Sequence, residues 1–249
     1  HHSDVGGMQP GSMPAGSRDI WSEGLVIPPV RLVRAGDYVP DVLELILANT
    51  RTPRLRRGDF RAQIAANGLA QDRLTDLMAR WGDATVFDAF DDVLAYAQRR
   101  TREVVRALPD GEYVASSQIE GDGVTDDDIP IRVAVRVAGD RIVLDFSGTA
   151  GAVDGNVNCP LSVTRSACFF ALRVLLPDDI PANSGTYEPL EIIAPEGSLV
   201  NARRPSAVVA GNVETSQRLA DTVLDALANN LTQEDLDIAL RDQNERRNP

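Results

Sequence analysis

The spacing of apolar residues changes near residue 111. Before that point the period is helical. Phe87, Phe90, Leu94, Ala97, Thr101, Val104 and Leu108 recur at steps of three and four residues, which puts them on one face of a helix closed by Pro109-Asp110-Gly111. A short helix from Asp41 to Asn49 and a long amphipathic run from Asp59 to Trp81 precede it, separated by an arginine-rich connection. After Gly111 the period falls to two. Ile131, Val133, Val135 and Val137 alternate with Arg132, Ala134, Arg136 and Ala138, and beyond Gly139-Asp140 the alternation resumes with Ile142, Leu144 and Phe146. This predicts a hairpin with a tight Gly-Asp turn, extended by a third strand around residues 113–119.

A Gly/Asn-rich loop over residues 148–158 leads into "PLSVTRSACFFALRVLL", whose continuous apolar character and early Pro160 predict a buried helix. Another helix begins near "GNVETSQR" and carries Leu219, Val223, Leu224 and Leu227. The expected class is α+β: a helical N-terminal half, then a mostly antiparallel sheet with packed helices. Four stretches follow from the composition. Residues 1–37 form an irregular, site-bearing segment, 38–110 a helical region, 111–228 an α+β region, and 229–249 a polar tail with Thr232 as helix cap.

Charge narrows the partners. The chain has 37 acidic and 25 basic residues, a formal net charge of -12, which repels nucleic acid and anionic membrane surfaces. It has no apolar run of membrane-spanning length and no signal-peptide pattern at its start. Two cysteines, Cys159 and Cys168, are too few for a disulfide framework, which points to a reducing, cytoplasmic setting.

Candidate chemistry begins at the first residue. The chain opens "HHSDVGG", and His1 and His2 are its only histidines. A terminal histidine pair is what a purification tag leaves, yet two imidazoles, the Asp4 carboxylate and two permissive glycines also suit a mixed nitrogen and oxygen metal site. "GNVETSQR" gathers Asn212, Glu214, Thr215 and Arg218 at a helix start, where unpaired N–H groups favour an anion; plain capping by Asn212 is the alternative. "TRTPRLRRGDFR" reads as a surface loop or subunit contact, with a phosphate grip as the rival. The loop at residues 148–158 lacks phosphate-loop spacing, and Asp154, Asn156 and Asn158 begin a calcium loop that Cys159 and Arg165 break. "EGDGVTDDD" reads as a solvated strand connection. Cys159 lacks a nearby base, and Cys168 sits among core residues.

Taken in order, "HHSDVGGMQPGSMPAGSRDIWSEGLVIPPVRLV", "LANTRTPRLRRGDFRAQIAAN", "DFSGTAGAVDGNVNCPLSVTRSACFFALR" and "DIPANSGTYEPLEIIAPEGSLVNARRPSAVVAGNVETSQR" closely resemble the central part of the hydantoinase B/5-oxoprolinase family. The resemblance implies that the opening histidines are native. It makes His1, His2 and Asp4 candidate ligands of a divalent metal (Zn or Mn), with His2 and Asp4 as catalytic candidates and His2 alternatively orienting His1. It implies a substrate-facing role for Asn212, Glu214, Thr215 and Arg218. It also implies ATP-dependent opening of a small cyclic amide such as 5-oxoproline or a hydantoin, in a hetero-oligomer whose A-type partner uses the ATP. A subunit of an acetone- or acetophenone-type carboxylase and a non-catalytic assembly fragment are the alternatives. Family members add an upstream Thr-His-Leu-Pro-Asp block and a Gly-rich C-terminal region, so the sequence reads as a truncated B-type subunit.

Overall fold

The computed structural model describes residues 4–228. The sheet at its centre follows directly from the period-two alternation. Strands β3 (Gly111–Glu120), β4 (Asp128–Ala138) and β5 (Arg141–Asp145) pair antiparallel in sequence order, with Val135 opposite Tyr113 on one side and Leu144 on the other. Strand β6 (Leu190–Ile193) adds to the outer edge of β5 in parallel, Ile142 facing Leu190. Alternation makes the sheet one-sided. Ile129, Ile131, Val133, Val135 and Val137 are buried on one face, while Arg136 on the other meets Glu112 at 2.7 Å and Asp145 at 3.6 Å.

The buried face packs under α5 (Leu161–Leu175) and α7 (Ser216–Ala228), which contribute Ala167, Cys168, Ala171, Leu172, Leu219, Val223 and Leu227 to one continuous core. The short α6 (Ser184–Tyr187), capped by Asn183, packs on α4 (Asp83–Arg106) at the edge of this layer. Ahead of the sheet lie the one-turn α1 (Ile20–Glu23), a small ribbon of β1 (Val33–Arg34) and β2 (Asp37–Tyr38), then α2 (Pro40–Ala48) and α3 (Pro53–Trp81). The α+β expectation holds, with helices first and two of the three pairings in the main sheet antiparallel.

Two readings of the helical region need correction. The "arginine-rich connection" is mostly helix: α3 starts at Pro53, not Asp59, because proline suits the first helical position and arginine is a good helix former, leaving Arg51 alone in the turn. The periodic face of α4 is also covered only in its second half. Ala97, Thr101 and Val105 are buried, whereas Phe87 and Phe90 are exposed, and α3 buries no residue. Among the described residues no helix is long and apolar enough to cross a membrane.

Candidate functional site

Four stretches far apart in sequence meet around a cleft of about 420 Å3, lined by Ala15, the 119–123 turn, Asn156, Val157, Ala210, Glu214 and Arg218. Each wall is held by polar groups. The Asn156 side-chain amide donates to the carbonyls of Pro14 at 2.8 Å and Ala15 at 3.2 Å, which fastens the N-terminal segment to the Gly/Asn loop. The same segment is tied again through Glu23. Its buried carboxylate accepts from the backbone N–H groups of Val208 (2.8 and 3.0 Å) and Val209 (2.9 Å) and from the Ser17 hydroxyl (3.0 Å).

The hairpin turn is fixed by Asp122. One of its oxygens accepts from Val124 and Thr125 N–H, and the other accepts from Gly155 N–H at 2.8 Å, latching the turn onto the loop. Burial pushes this carboxyl up, but the backbone donors of Thr125, Val124 and Gly155 outweigh it and hold the pKa below the ordinary carboxylate value. The reading of "EGDGVTDDD" as solvated is therefore corrected for Asp122, which is buried; Asp126, Asp127 and Asp128 are exposed. Asn158 is enclosed and donates to the carbonyls of Val153, Gly155 and Ala207, while its own carbonyl accepts from Val153 N–H.

The fourth wall is one π-helical turn, Gly211–Thr215, running into α7. It begins where Ala210 and Gly211 N–H both donate to the Asn156 carbonyl, at 3.0 and 3.1 Å. Gly211 lies so close to the Asn158 backbone that an added Cβ would overlap its carbonyl, 2.6 Å from the carbonyl carbon. The wider turn separates the side chains of "GNVETSQR". Thr215 is buried and donates its hydroxyl to the Val157 carbonyl, Asn212 is exposed and does not line the cleft, and Glu214 and Arg218 line it together. No side chain caps this helix start. An acceptor-only carboxylate beside a donor-only guanidinium is complementary to a secondary amide, which presents one N–H and one C=O.

Asp4 occupies a different place. Its two oxygens accept from Gly6 N–H at 2.9 Å and Gly11 N–H at 2.8 Å, and both also face Arg51 Nη1, at 3.4 and 3.2 Å. Those N–H groups of Gly6 and Gly11, with Arg51 adding to them, hold the Asp4 carboxyl below its ordinary pKa. Arg51 further donates to the carbonyls of Gly6 (3.2 Å), Gly7 (2.6 Å) and Gln9 (3.0 Å), so one guanidinium gathers the whole 4–12 loop. Gly7 there has φ +83 and touches the Glu23 backbone, a position closed to larger residues.

Among the candidate ligands, His1 and His2 lie outside the described residues. The Asp4 oxygens are already engaged by Gly6, Gly11 and Arg51, an arrangement that fits a brace for the opening motif better than a direct metal bond. No group of three or more His, Cys, Asp or Glu able to hold a metal occurs among the described residues. Burial pushes the thiols of Cys159 and Cys168 up to about 12, leaving neither as a thiolate nucleophile near neutral pH. Glu23, Arg51, Asp122 and Asn156 escaped the sequence reading. Of these, Arg51, Asp122 and Asn156 stood in stretches already singled out for another role.

The chain matches the hydantoinase B/oxoprolinase family over residues 1–238. It is 35% identical over 248 residues to 5-oxoprolinase 1 of Arabidopsis thaliana, covering 91% of this chain and 20% of that protein. It is 33% identical over 240 residues to the B-type subunit of a putative D-/L-hydantoinase from a Pseudomonas species, covering 92% and 40%. The fold superposes on the ATP-dependent caprolactamase of Pseudomonas jessenii with a TM-score of 0.86 at 28% identity, covering 91% of this chain and 39% of that one. The chain thus spans well under half the length of these relatives. With the motifs in order, the fold superposable and the match running almost end to end, the chain belongs to the hydantoinase B/oxoprolinase family.

Proposed function

We propose that this chain is the core of a B-type subunit of an ATP-dependent amidohydrolase that opens small cyclic amides of the 5-oxoproline or hydantoin kind. The observation that carries the reading is the cleft, which sets Glu214 and Arg218 side by side where three family motifs converge. The names of the relatives agree with it, since 5-oxoproline, hydantoin and caprolactam are all ring amides.

In this reading Arg218 donates to the amide oxygen or to a substrate carboxylate, and Glu214 accepts from the ring N–H. Thr215 braces the turn through the Val157 carbonyl, and Asn212, which does not line the cleft, is left out of substrate contact. An A-type partner in a cytoplasmic hetero-oligomer supplies the ATP chemistry. The amide oxygen is phosphorylated with release of ADP, water adds to the activated carbon, the C–N bond breaks with protonation of nitrogen, and a second water releases phosphate. The sum is lactam, ATP and two waters giving amino acid, ADP and phosphate. A divalent ion, Zn or Mn, would fall to His1 and His2 and supply Lewis acidity, with Asp4 and Arg51 holding the loop that follows the pair in sequence.

The test is a panel assay. The gene in its full reading frame, co-expressed with the A-type gene, should release ADP in stoichiometric step with ring opening of 5-oxoproline, a hydantoin or caprolactam. ADP release stimulated by acetone with bicarbonate, and by none of the ring amides, would transfer the chain to carboxylation. No stimulation by any of them would support a non-catalytic assembly role.

A further inference from the structure

The cleft holds one carboxylate that the reading above leaves without a role. Glu120 is the last residue of β3, on the outward face that it shares with Gln118, and it lines the cleft together with Asp122, Glu214 and Arg218. The turn that follows it is fixed. Asp122 N–H donates to the Thr125 carbonyl at 3.2 Å, and the Asp122 carboxylate clamps the turn to Gly155. Gly121, at φ +83, lies where any side chain would strike the Thr125 carbonyl. Glu120 is thus placed by a braced backbone and not by a partner. Its cross-strand neighbour Asp128 is taken by Gln118 at 2.8 Å, and among the described residues Glu120 makes no hydrogen bond or ion pair.

Charge around the cleft is lopsided. Its lining carries three carboxylates, those of Glu120, Asp122 and Glu214, against the one guanidinium of Arg218. Asp126, Asp127 and Asp128 stand exposed on the same connection, with no basic residue among them. Asp122 is spent on backbone N–H groups. Glu214 and Arg218 stand four residues apart in the order that ordinarily closes into an ion pair on a helix, yet among the described residues neither pairs with the other or with a neighbour. Both stay open to a ligand, one accepting and one donating, as the N–H and C=O of a ring amide require. With that pair engaged, Glu120 remains as a lone acceptor in a negative field. Among the described residues no three acids converge as metal ligands would. What one such carboxylate can hold is an organic cation with N–H donors, and what the surplus charge repels is a further carboxylate. The cleft, at about 420 Å3, falls in the range of small-molecule sites, so a ring and a short substituent fit together.

We infer that the cleft selects its ring amide by charge: it takes a ring amide carrying an ammonium substituent, which Glu120 binds, and disfavours the same ring carrying a carboxylate. The inference rests on the reading of the cleft as the ring-amide site and narrows it. Arg218 is then kept for the amide oxygen. Glu120 sets specificity and stands apart from the bonds that change. Because Glu120 is exposed to water, its ion pair with an ammonium group is worth up to about fivefold in affinity, and repulsion of a carboxylate acts on the same scale in the opposite sense.

The test measures KM for ADP release by the full-length B-type subunit with its A-type partner, at low salt and about pH 7. Three probes share the 5-oxoproline ring and differ at one carbon, which bears an aminomethyl, a hydroxymethyl or a carboxylate group. The aminomethyl probe is expected to have the lowest KM, about fivefold below the hydroxymethyl probe, and the carboxylate probe the highest. Added salt should narrow the spread. Glu120→Gln should bring the aminomethyl and hydroxymethyl values within about twofold of each other, and Glu120→Arg should favour the carboxylate probe over the aminomethyl one. Equal KM values for the three probes, a preference of the wild type for the carboxylate probe, or a Glu120→Gln variant that keeps the wild-type order and spread overturns this inference and leaves the ring-amide reading standing. ADP release stimulated by none of the three overturns both.

Discussion

Replacing Glu23 by alanine should loosen the wall of the cleft without touching its lining. The Glu23 carboxylate is the acceptor for two backbone N–H groups, those of Val208 and Val209, which lead into the π-helical turn. Removing it leaves both donors unpaired, at about 1–3 kcal/mol each for a buried group. Because Val208 and Val209 are only half-buried, water can reach the vacated space, which places the sum in the lower part of the range, at about 2–4 kcal/mol. The Ser17 hydroxyl adds nothing to that sum, since it can turn to the Pro14 carbonyl at 3.1 Å. Glu23→Gln keeps one acceptor oxygen and should cost about half as much. Urea denaturation gives the energy, and amide hydrogen exchange at Val208 and Val209 gives the place. A Glu23→Ala chain within about 0.5 kcal/mol of wild type, with both amides as protected as before, would show that this carboxylate does not hold the wall.

Three further outcomes follow from other contacts. Asp122 has a folded pKa below its unfolded value, so its contribution is complete above about pH 4 and is lost as pH falls through the folded value; Asp122→Asn should flatten the acid limb of stability between about pH 5 and 2, measured by urea midpoints. Gly211→Ala pushes a methyl into the Asn158 carbonyl and should destabilise by about 1–3 kcal/mol or more, read as a lower Tm; an unchanged Tm would contradict the close approach. Arg51→Lys cannot reproduce the fork that reaches Asp4, Gly6, Gly7 and Gln9, so amide exchange at Gly6 and Gly11 should rise at least tenfold, and further in Arg51→Ala, with the sheet amides unaffected.

Local periodicity made most elements legible. The alternation over residues 131–146 determines β4 and β5 because their face is buried on one side only, and the steps of three and four over residues 87–108 determine α4. The same steps say which face of a helix is apolar but not whether anything lies over it, which is why Phe87 and Ala97 look alike in sequence and differ in burial. Strand β6 had no such signal. Four residues paired in parallel across a long crossover leave no alternation worth counting. The N-terminus of α3 was hidden because hydrophobic spacing begins at Phe60, although Pro53 marked the true start.

At the site, "GNVETSQR" stood out as a unit, but a π turn rather than an α turn decides which side chains share the cleft. That departure goes with the close approach of Gly211 to Asn158, a contact between residues more than fifty apart. Asp122 looked like one acid in a solvated run, since nothing local announces the Gly155 N–H that it accepts. The long-range polar latches were therefore the part that sequence spacing could not supply.

Whether the cleft receives the ring amide is decided by steady-state ADP release from the full-length B-type subunit assembled with its A-type partner, measured against ring-amide concentration for wild type, Glu214→Gln and Arg218→Ala. Both variants are expected to fold, to assemble and to keep lactam-independent ATP turnover, yet to lose most lactam stimulation, with Arg218→Ala raising KM by at least tenfold. Wild-type kcat and KM for the ring amide in both variants would contradict this assignment, and would move the substrate away from the cleft that Glu214 and Arg218 line.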